Sequence, residues 1–447
     1  MAQQYSNLSS KSTSERSVNT DRRRVITGIG TLAATGLLPF SAMGQNKVSE
    51  SEILIIGGGM AGAATAFHLA QHGRSVTILE RGEIASEASG QNMGGLGGPG
   101  WGNMPDLQSY LTMGSLGIFK QLQIDMGYDM EFRQSGSLTG IHTEEQYDFI
   151  KNRVLSQKSN GYDVELLTPQ EARAIEPEIS LDLLGYMHLP GGRGQADPVK
   201  STQAFAHAAQ NSGATINTGQ NVTAIHIHGN SGYSVRTDKA EFICQTLVLA
   251  TGAWCGPVGK LLGLNIPIIP IRGQMWATKS LPPRIFQTIS SAESSFAWSR
   301  DNGSDETTPP YLTHKGKRRL VRHLYGRQRK NGEIIFGGDR EDVGFSTTPD
   351  PMGIEVNRQH ASEVVPVVAN HPAVRTWAGS MPFSLDGSPI IGKIPDRDNL
   401  FIVSGLASSG FGRGPMAGKL AADYIHTGHM PHVLAESDPA RCVTEAE

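Results

Sequence analysis

The stretch that decides the fold is Ile53–Gly62, which reads ILIIGGGMAG. Its first four residues are all large and apolar, a pattern that indicates a buried strand. A glycine-rich turn follows, then an apolar helix to about His72 and a second strand over residues 75–79. Strand, glycine turn, helix and strand in this order predict the opening of a βαβ unit.

The glycines of the turn have the spacing of a dinucleotide-binding motif. Gly57 permits the tight turn, Gly59 lets the backbone approach a diphosphate, and Gly62 allows close packing of helix on strand. The diphosphate then lies at the helix N-terminus, where N–H groups and the helix dipole favour an anion. Glu80 ends the second strand and can accept both ribose hydroxyls. Together these features predict a dinucleotide site.

Length and composition narrow the class of protein. The chain has 447 residues, 38% of them hydrophobic and 18% charged, which is typical of a globular protein with two domains. Many of its 53 glycines occur in short clusters, which favours a cofactor site. A net charge of −3 gives no indication of nucleic-acid binding.

Cysteine and histidine usage points away from disulfide and metal chemistry. Cys244, Cys255 and Cys442 are too few for a disulfide framework or a cysteine-rich metal site, although one bridge remains open. We interpret the first two as structural, because they lie on or just after a predicted buried strand. The 14 histidines form no ligand cluster, so we predict no metal, and no Gly-x-Ser-x-Gly elbow indicates a serine nucleophile.

The N-terminus has the features of an export signal. Arg22-Arg23-Arg24 precede the uncharged stretch Val25–Ala42, and small residues follow it. The adjacent arginines resemble a twin-arginine signal, a route that carries folded proteins. We therefore predict a signal over residues 1–44 and export to the periplasm. An uncleaved membrane anchor stays open as the alternative, although the stretch is at the short end of the roughly 17–25 residues that span a bilayer.

Three further segments favour FAD over NAD. The loop Ala88–Gly95 is rich in small residues whose amides can surround a flat polar group, and an NAD enzyme needs no such loop there. The buried strand that begins at Leu247 ends in a small-residue turn at Ala250–Trp254. Near the end of the chain, Gly405–Pro415 runs into a helix and forms a second backbone-rich site for an anion or ring.

With these motifs in place, the chain resembles the family of sarcosine oxidase, glycine oxidase and D-amino-acid oxidase or dehydrogenase from about Ile53 to Ile425. The resemblance is carried by four blocks whose order and spacing match: the glycine motif with Glu80-Arg81; the Ala88–Gly95 loop; the run from Ala196-Asp197-Pro198 through Val222 to Ala250–Trp254; and Asp386–Gly392 with Gly405–Pro415.

The resemblance implies an α/β fold with a Rossmann-type FAD-binding domain and an inserted α+β substrate domain built on a mainly antiparallel sheet. It also implies that Val222 backs the adenine and that the final loop lies near the isoalloxazine and its pyrimidine edge. The residues expected to hold FAD are Gly57, Gly59, Met60, Ala61, Gly62, Glu80, Arg81, Ser89, Gln91, Asn92, Met93, Gly94, Val222, Ala250, Thr251, Gly252, Trp254, Gly387, Gly405, Ser409, Gly410, Phe411 and Gly412.

The predicted domains are discontinuous. The FAD-binding domain takes residues 51–105, 196–266 and 376–430, and the substrate domain takes residues 106–195 and 267–375. Residues 431–447 are expected to form a C-terminal tail.

Two departures from the family pattern refine these expectations. Members that attach FAD covalently carry a cysteine upstream of the Asp-Gly-x-Pro block, where this chain reads Gly379-Ser380-Met381-Pro382. We therefore predict non-covalent FAD. Sarcosine oxidases carry His-Gly-Phe-Lys in the final loop, whereas residues 409–412 read SGFG here, which argues against sarcosine specificity.

Substrate recognition is expected from a hairpin in the inserted domain, with its turn at Asn331-Gly332. The spacing of Tyr325 and Arg329 resembles the family's carboxylate clamp, and an arginine fork suits a carboxylate. Arg329 belongs to a run of basic residues, and for Arg329 a solvated face is an equal alternative to the clamp. For the other residues of the run a solvated face is the favoured interpretation, and contact with an anionic membrane is a weaker one. The run comprises Lys315, Lys317, Arg318, Arg319, Arg322, Arg327, Arg329 and Lys330.

The expected reaction is hydride transfer from the carbon that bears nitrogen to flavin N5, which leaves an imine that water hydrolyses. The substrate is a small amine or amino acid: a D-amino acid, glycine or an N-methyl amino acid. Tyr325 and Arg329 are expected to orient it, and no acid or base is assigned. Oxygen or a membrane quinone is the expected electron acceptor. The alternatives are a 2-hydroxy-acid oxidoreductase and a non-catalytic flavin-binding subunit.

Overall fold

Two large β-sheets organise the protein in the computed structural model, which describes residues 48–99, 106–229, 232–300, 314–315, 318–319 and 321–446. The helices are α1 Met60–Gln71, α2 Leu107–Lys120, α3 Glu144–Ser159, α4 Pro169–Ile175, α5 Pro198–Asn211, α6 Cys255–Lys260, α7 Glu293–Arg300, α8 Pro351–Val364 and α9 Gly410–Thr427. The strands are β1 Val48–Ile56, β2 Val76–Leu79, β3 Gly95–Gly97, β4 Ser137–Ile141, β5 Glu165–Leu167, β6 Gly185–Leu189, β7 Arg193–Gln195, β8 Thr215–Asn217, β9 Val222–Ile227, β10 Tyr233–Thr237, β11 Glu241–Leu249, β12 Leu264–Asn265, β13 Ile268–Ser280, β14 Thr288–Ser291, β15 His314–Lys315, β16 Arg318–Arg319, β17 Tyr325–Gln328, β18 Glu333–Glu341, β19 Arg375–Ser384, β20 Ile390–Lys393, β21 Leu400–Ser404 and β22 Thr444–Glu445.

The first sheet joins strands from separate parts of the chain in the order β20-β21-β11-β1-β2-β8, with the β9–β10 hairpin attached to β11. β1 pairs in parallel with both β11 and β2. Ile53 and Ile55 pack into the core on one face, while Leu54 and Ile56 pack on the other. Burial on both faces explains why this strand is a continuous apolar run.

A layer of helices covers one face of the first sheet, with α1 against α5 and α9, and α2 against α9. Phenylalanine rings join the layer. Phe205 lies edge-on to both Phe67 and Phe119, and Phe119 also meets Phe411 of α9 at a centroid distance of 5.6 Å. Such pairs contribute about 0.5–1.5 kcal/mol each beyond the area they bury. They hold the start of α9 against α2.

The second sheet has the order β19-β13-β18-β17-β14-β4-β6-β5. Its pairings are antiparallel except for the parallel pair β14–β4. Trp276 and Phe336 are fully buried on it with the apolar face of α8. A Rossmann-type sheet combined with a mainly antiparallel one confirms the predicted fold class.

The predicted domain boundary at residue 376 falls inside a strand. β19 pairs with β13 along its whole length, from Arg375 opposite Ala277 to Ser384 opposite Ile268. Residues 376–384 therefore belong to the second sheet, because this pairing is continuous along the strand. The first sheet resumes at β20.

The C-terminal residues were expected to be a tail, but they pack against the rest of the protein. Leu434 is fully buried, β22 pairs with β12, and Arg441 donates from Nε to Asp386 Oδ2 at 2.7 Å. Short 3₁₀ turns make up most of this segment, and they produce no periodic apolar pattern that would reveal burial.

The predicted signal lies outside the described residues and stays a prediction, as does export. The side chains of Lys315, Lys317, Arg318 and Arg319 also lie outside them, so membrane contact through these residues is untested. Where the chain is described, no helix combines the length and apolar content needed to cross a membrane.

Close packing of α9 on α1 gives a stability prediction. A Cβ on Gly418 would lie 2.7 Å from the backbone N of Thr65 and 2.8 Å from Cβ of Ala64. Gly418→Ala must therefore push the helices apart, and we expect it to cost about 1–3 kcal/mol. Thermal unfolding followed by circular dichroism measures the drop in the unfolding midpoint.

Gly117 is the matched control, because it lies on the exposed side of α2 and a Cβ there would have nothing within 4 Å. Gly117→Ala should stabilise the protein by about 0.5–1 kcal/mol. A Gly418→Ala midpoint at or above the wild-type value would contradict the close packing.

Candidate active site

A cavity of about 660 Å³ is lined by loops at the carboxyl ends of the first sheet and by strands of the second. Ligands of open α/β sheets bind at this edge, outside the carboxyl ends of the strands. The volume lies within the range usual for small-molecule and cofactor sites. The cavity is therefore the candidate site.

The turn after β1 brings backbone amides to the cavity wall. Gly57 has a φ of +113°, which only glycine adopts without strain, and a Cβ there would overlap the carbonyl of Ala250. A Cβ on Gly62 would overlap the carbonyl oxygen of Gly57. Both glycines are required for α1 to begin this close to β1 and β11.

Two helix N-termini open on the cavity. Neither α1, which begins after Gly59, nor α9, which begins after Ser409, is capped by the side chain of its N-cap residue or has an acidic residue in its first turn. Unpaired N–H groups and the positive end of the helix dipole favour an anion at such a terminus. The cavity is thus built to hold a ligand with negative charge or carbonyl oxygens at two separate points.

The loop between β2 and β3 is folded by its own side chains. Asn92 donates to the carbonyls of Ala88 and Ser89 at 3.0 and 2.9 Å and accepts from the Gly94 amide at 2.8 Å. Ser89 Oγ accepts from the Met60 amide at 2.9 Å. These bonds fasten the loop to the first turn of α1.

An acidic residue and an aromatic one mark the end of the cavity beside β2. Glu80 accepts from the amides of Gly58 and Gly82, at 2.7 Å each, which fixes its carboxylate. Each carboxylate oxygen keeps a further lone pair with which to accept a ligand hydroxyl. The Arg81 guanidinium lies 3.8 Å from the centroid of the Trp254 ring and pairs with Glu87.

Most residues that sequence analysis assigned to FAD line this one cavity. They are Gly57, Gly59, Met60, Ala61, Glu80, Arg81, Ser89, Gln91, Asn92, Met93, Val222, Ala250, Thr251, Gly252, Trp254, Gly387, Ser409, Gly410, Phe411 and Gly412. Gly62, Gly94 and Gly405 lie behind the wall. At Gly62 and Gly94 a Cβ would overlap a backbone carbonyl, so their contribution is close packing.

The structure does not bring Arg329 to the cavity. Its guanidinium bonds to Asp197, the N-cap of α5, at 2.5 Å and to Glu333 at 3.2 Å. Tyr325, four residues earlier, does line the cavity. Because a strand rises about 3.3 Å per residue, Arg329 lies about 13 Å further along the chain. A carboxylate clamp formed by these two residues is therefore wrong.

The solvated-face interpretation is also wrong for Arg327 and Arg322, which are only 2% and 8% exposed. Arg327 donates to the carbonyls of Met93 and Ala196 and so joins the cavity loop to the end of β7. Burial lowers the pKa of Arg327 to about 9, which leaves it charged at neutral pH. Alternation along the strand places Arg327 on the same inward face as Tyr325.

A further arginine, Arg340, lines the cavity from β18 and is 6% exposed, although no motif in the sequence indicated it. It donates to His323 Nε2 at 2.6 Å and to Ser408 Oγ at 3.0 Å. Burial lowers the pKa of Arg340 to about 10, so it remains a cation. Its place at the cavity follows from strand register, because Arg340 pairs with Gly273, which also lines the cavity.

His323 is held as a neutral imidazole. A guanidinium can only donate, so Nε2 accepts from Arg340 and Nδ1–H donates to the Gly338 carbonyl at 2.9 Å. Burial and the adjacent Arg340 charge hold the pKa of His323 well below its ordinary value. Tyr325 stacks edge-on against this ring, and burial raises its pKa, so it stays a phenol.

The chain matches the family model of FAD dependent oxidoreductases over residues 52–424, and it belongs to this family. A glycine oxidase from Geobacillus kaustophilus (strain HTA426) is 28% identical over 381 residues, which cover 84% of this chain and 92% of that protein. A crystal structure of glycine oxidase from Geobacillus kaustophilus has a TM-score of 0.76 at 25% identity, covering 88% of this chain and 99% of that one. The crystal structure of L-proline dehydrogenase from P. horikoshii has a TM-score of 0.75 at 25% identity, covering 88% of this chain and 98% of that one.

The protein is therefore an FAD-dependent oxidoreductase, and its cavity fits that cofactor. The Gly57–Gly62 turn suits the diphosphate, Glu80 the ribose and the start of α9 the electron-rich edge of the ring system. No cysteine is among the described lining residues, which supports the prediction of non-covalent FAD. Within the same residues, no group of His, Cys, Asp and Glu is arranged to hold a metal ion.

Gly59 gives a direct test of cofactor binding. A Cβ on Gly59 would lie 3.0 Å from Ser89 Oγ, so a valine must extend into the space beside the first amides of α1. We expect Gly59→Val to lose most of its FAD on gel filtration, measured as the ratio of flavin to protein absorbance. Gly117→Ala, remote from the cavity, should keep the wild-type ratio. Full FAD content in Gly59→Val would refute the assignment of the diphosphate to this turn.

Proposed function

We propose that the protein oxidises the carbon–nitrogen bond of a small amino acid or amine. Two observations support this class of substrate. The similar proteins include an oxidase of glycine and a dehydrogenase of L-proline, both amino acids with a single carboxylate. The cavity, in turn, presents a buried cation, Arg340, beside the residues that suit FAD.

Arg340 is the residue that carries the proposal. A guanidinium has five N–H donors and binds a carboxylate through charged hydrogen bonds. The bonds of Arg340 to His323 and Ser408 both come from Nη2, and they hold the guanidinium in one orientation. A substrate carboxylate that binds to this buried guanidinium gains a charge-assisted hydrogen bond in a site shielded from water. Arg340 therefore takes the role that sequence analysis gave to Arg329.

The neighbours of Arg340 orient the substrate and do not transfer protons. The lone pair of His323 Nε2 is occupied by Arg340, and the Tyr325 phenol keeps its proton, so neither group is poised as a base. The substrate amine must then enter in its neutral form. Bound FAD supplies the chemistry by accepting a hydride from the carbon that bears nitrogen, and the resulting imine is hydrolysed by water. The Tyr325 hydroxyl can donate a hydrogen bond to the carboxylate that Arg340 holds.

The substrate class is tested by anaerobic bleaching of the enzyme-bound flavin with a panel of glycine, N-methylglycine, proline, D- and L-alanine, a simple amine and lactate. We expect at least one amino acid to bleach it. Bleaching by lactate alone would identify a hydroxy-acid oxidoreductase, and bleaching by no compound would identify a flavin-binding subunit. Admitting oxygen or a soluble quinone to the bleached enzyme then identifies the electron acceptor.

Arg340 and Arg329 form a matched pair for testing the anchor. Arg340→Gln removes the charged donor in the cavity, and we expect KM for the best amino acid to rise about tenfold or more, with a smaller rise for a simple amine. Arg329→Gln breaks only the ion pairs with Asp197 and Glu333, so its effects on the two substrates should be equal. Steady-state kinetics measure both. A larger selective effect at Arg329 would overturn the assignment of Arg340.

A further inference from the structure

A second pair of arginines, Arg193 and Arg413, lines the same cavity from different elements. Arg193 lies on β7, which pairs with β3, and Arg413 lies in the first turn of α9, which packs against α2. Arg340, by contrast, comes from β18 of the second sheet. The cavity thus has cationic side chains on two walls, and one substrate carboxylate accounts for only one of them.

Arg413 is only partly satisfied by its surroundings. Its Nη2 donates to Gln108 Oε1 of α2 at 2.9 Å, and its buried Nε makes no hydrogen bond within the described residues. Burial lowers the pKa of Arg413 to about 10, and the Asp106 carboxylate opposes this shift, so the guanidinium is charged. An unsatisfied buried donor costs free energy that a ligand can recover.

The side chain of Arg193 has no hydrogen-bond or ion-pair partner among the described residues. Its Nε is buried without an acceptor, and burial alone lowers its pKa. Space for the side chain depends on a glycine, since a Cβ on Gly98 would lie 2.7 Å from Arg193 Nε. The protein thus seats a charged fork at the cavity wall without pairing it.

The acids of the cavity do not balance these charges. Glu80 and Glu87 are the acidic residues among the described lining. Glu80 accepts from the amides of Gly58 and Gly82, and Glu87 pairs with Arg81. The FAD diphosphate is accounted for by the glycine turn after β1. Positive charge from Arg193 and Arg413 is left for another anion.

We propose that the preferred substrate is an amino acid with a second carboxylate, which Arg193 and Arg413 bind while Arg340 binds the first. The inference rests on the proposed function and narrows its substrate to amino dicarboxylic acids. Asp106 offsets part of the charge of the arginine pair, which matches a singly charged carboxylate better than a phosphate dianion. Gln108 and Thr112 line the same wall and can complete the site as hydrogen-bonding groups.

Binding of unreactive acids to the FAD-loaded enzyme tests the proposal without turnover. Succinate and butyrate have the same four carbons and differ in the second carboxylate. Titrations followed by the flavin absorption spectrum, and independently by the thermal unfolding midpoint, give their Kd values. We expect succinate to bind about tenfold or more tightly than butyrate, as for a charged hydrogen-bonded pair. Equal Kd values, or tighter binding of inorganic phosphate than of succinate, would overturn the proposal.

Variants assign the preference to its residues. Arg413→Gln and Arg193→Gln should each reduce the succinate-to-butyrate preference about fivefold or more, and Arg413→Lys should keep part of it because the charge remains. Arg358→Gln is the control, since Arg358 lies on α8, pairs with Glu355 and is not among the residues that line the cavity. A preference that survives in both glutamine variants is incompatible with the site. If Arg193→Gln, Arg413→Gln and Arg413→Lys all lost FAD, these arginines would be assigned to the cofactor instead.

A substrate pair completes the test and separates it from the proposed function. Aspartate is alanine with an added carboxylate. We therefore expect the reactive enantiomer of aspartate to bleach the flavin at a lower concentration than alanine does. Bleaching by alanine at equal or lower concentration would reject only the second carboxylate site. A succinate preference without bleaching by any amine would reject the proposed function and leave the anion site standing.

Discussion

The structure depends on one close approach, that of the first turn of α1 to the ends of β1 and β11. It is possible only because no Cβ is present at Gly57 or Gly62, where one would overlap the carbonyls of Ala250 and Gly57. With α1 this near the sheet, its first turn lies at the cavity wall, where Ser89 Oγ accepts from the Met60 amide. The parallel pairing of β1 with β11 then brings the Ala250–Trp254 turn to the same edge, so one backbone contact fixes the cofactor end of the site.

Buried arginines organise the other end, and they fall into two groups that differ in their partners. Arg327 is surrounded by backbone carbonyls and therefore serves as a tie between the Met93 loop and the end of β7. Arg193 and Arg413 keep buried nitrogens without acceptors in the described part of the chain. A cation satisfied by carbonyls stabilises the fold, whereas one that is unsatisfied costs stability unless a ligand pairs with it. These two arginines also line the cavity, and they are therefore the basis of the proposed second carboxylate site.

The same division explains what could be predicted from the sequence. The cofactor site could be predicted because its requirements are local: glycines at Gly57, Gly59 and Gly62 and an acid at the end of the next strand describe backbone geometry within one βαβ unit. The residues proposed to bind the substrate could not be predicted, because strand register decides whether Arg329 or Arg340 reaches the cavity. That register is set across a sheet assembled from distant segments of the chain. Local spacing suggested Arg329 as a clamp residue, with a solvated face as an equal alternative, but its actual partner, Asp197, is far away in sequence. The packed C-terminus was missed for a related reason, since β22 pairs with β12 across most of the chain.

The contact between Arg340 and His323 limits which chemistry the site can perform. Because the guanidinium has no lone pair, it forces the imidazole into the tautomer that donates to Gly338, and no basic nitrogen then faces the substrate. A protonated imidazole would bring two donors and two buried positive charges together, which the low pKa of His323 reflects. The pair is therefore stable only as a cation and a neutral ring. A site of this kind controls the position and charge of its substrate, and leaves bond cleavage to the cofactor.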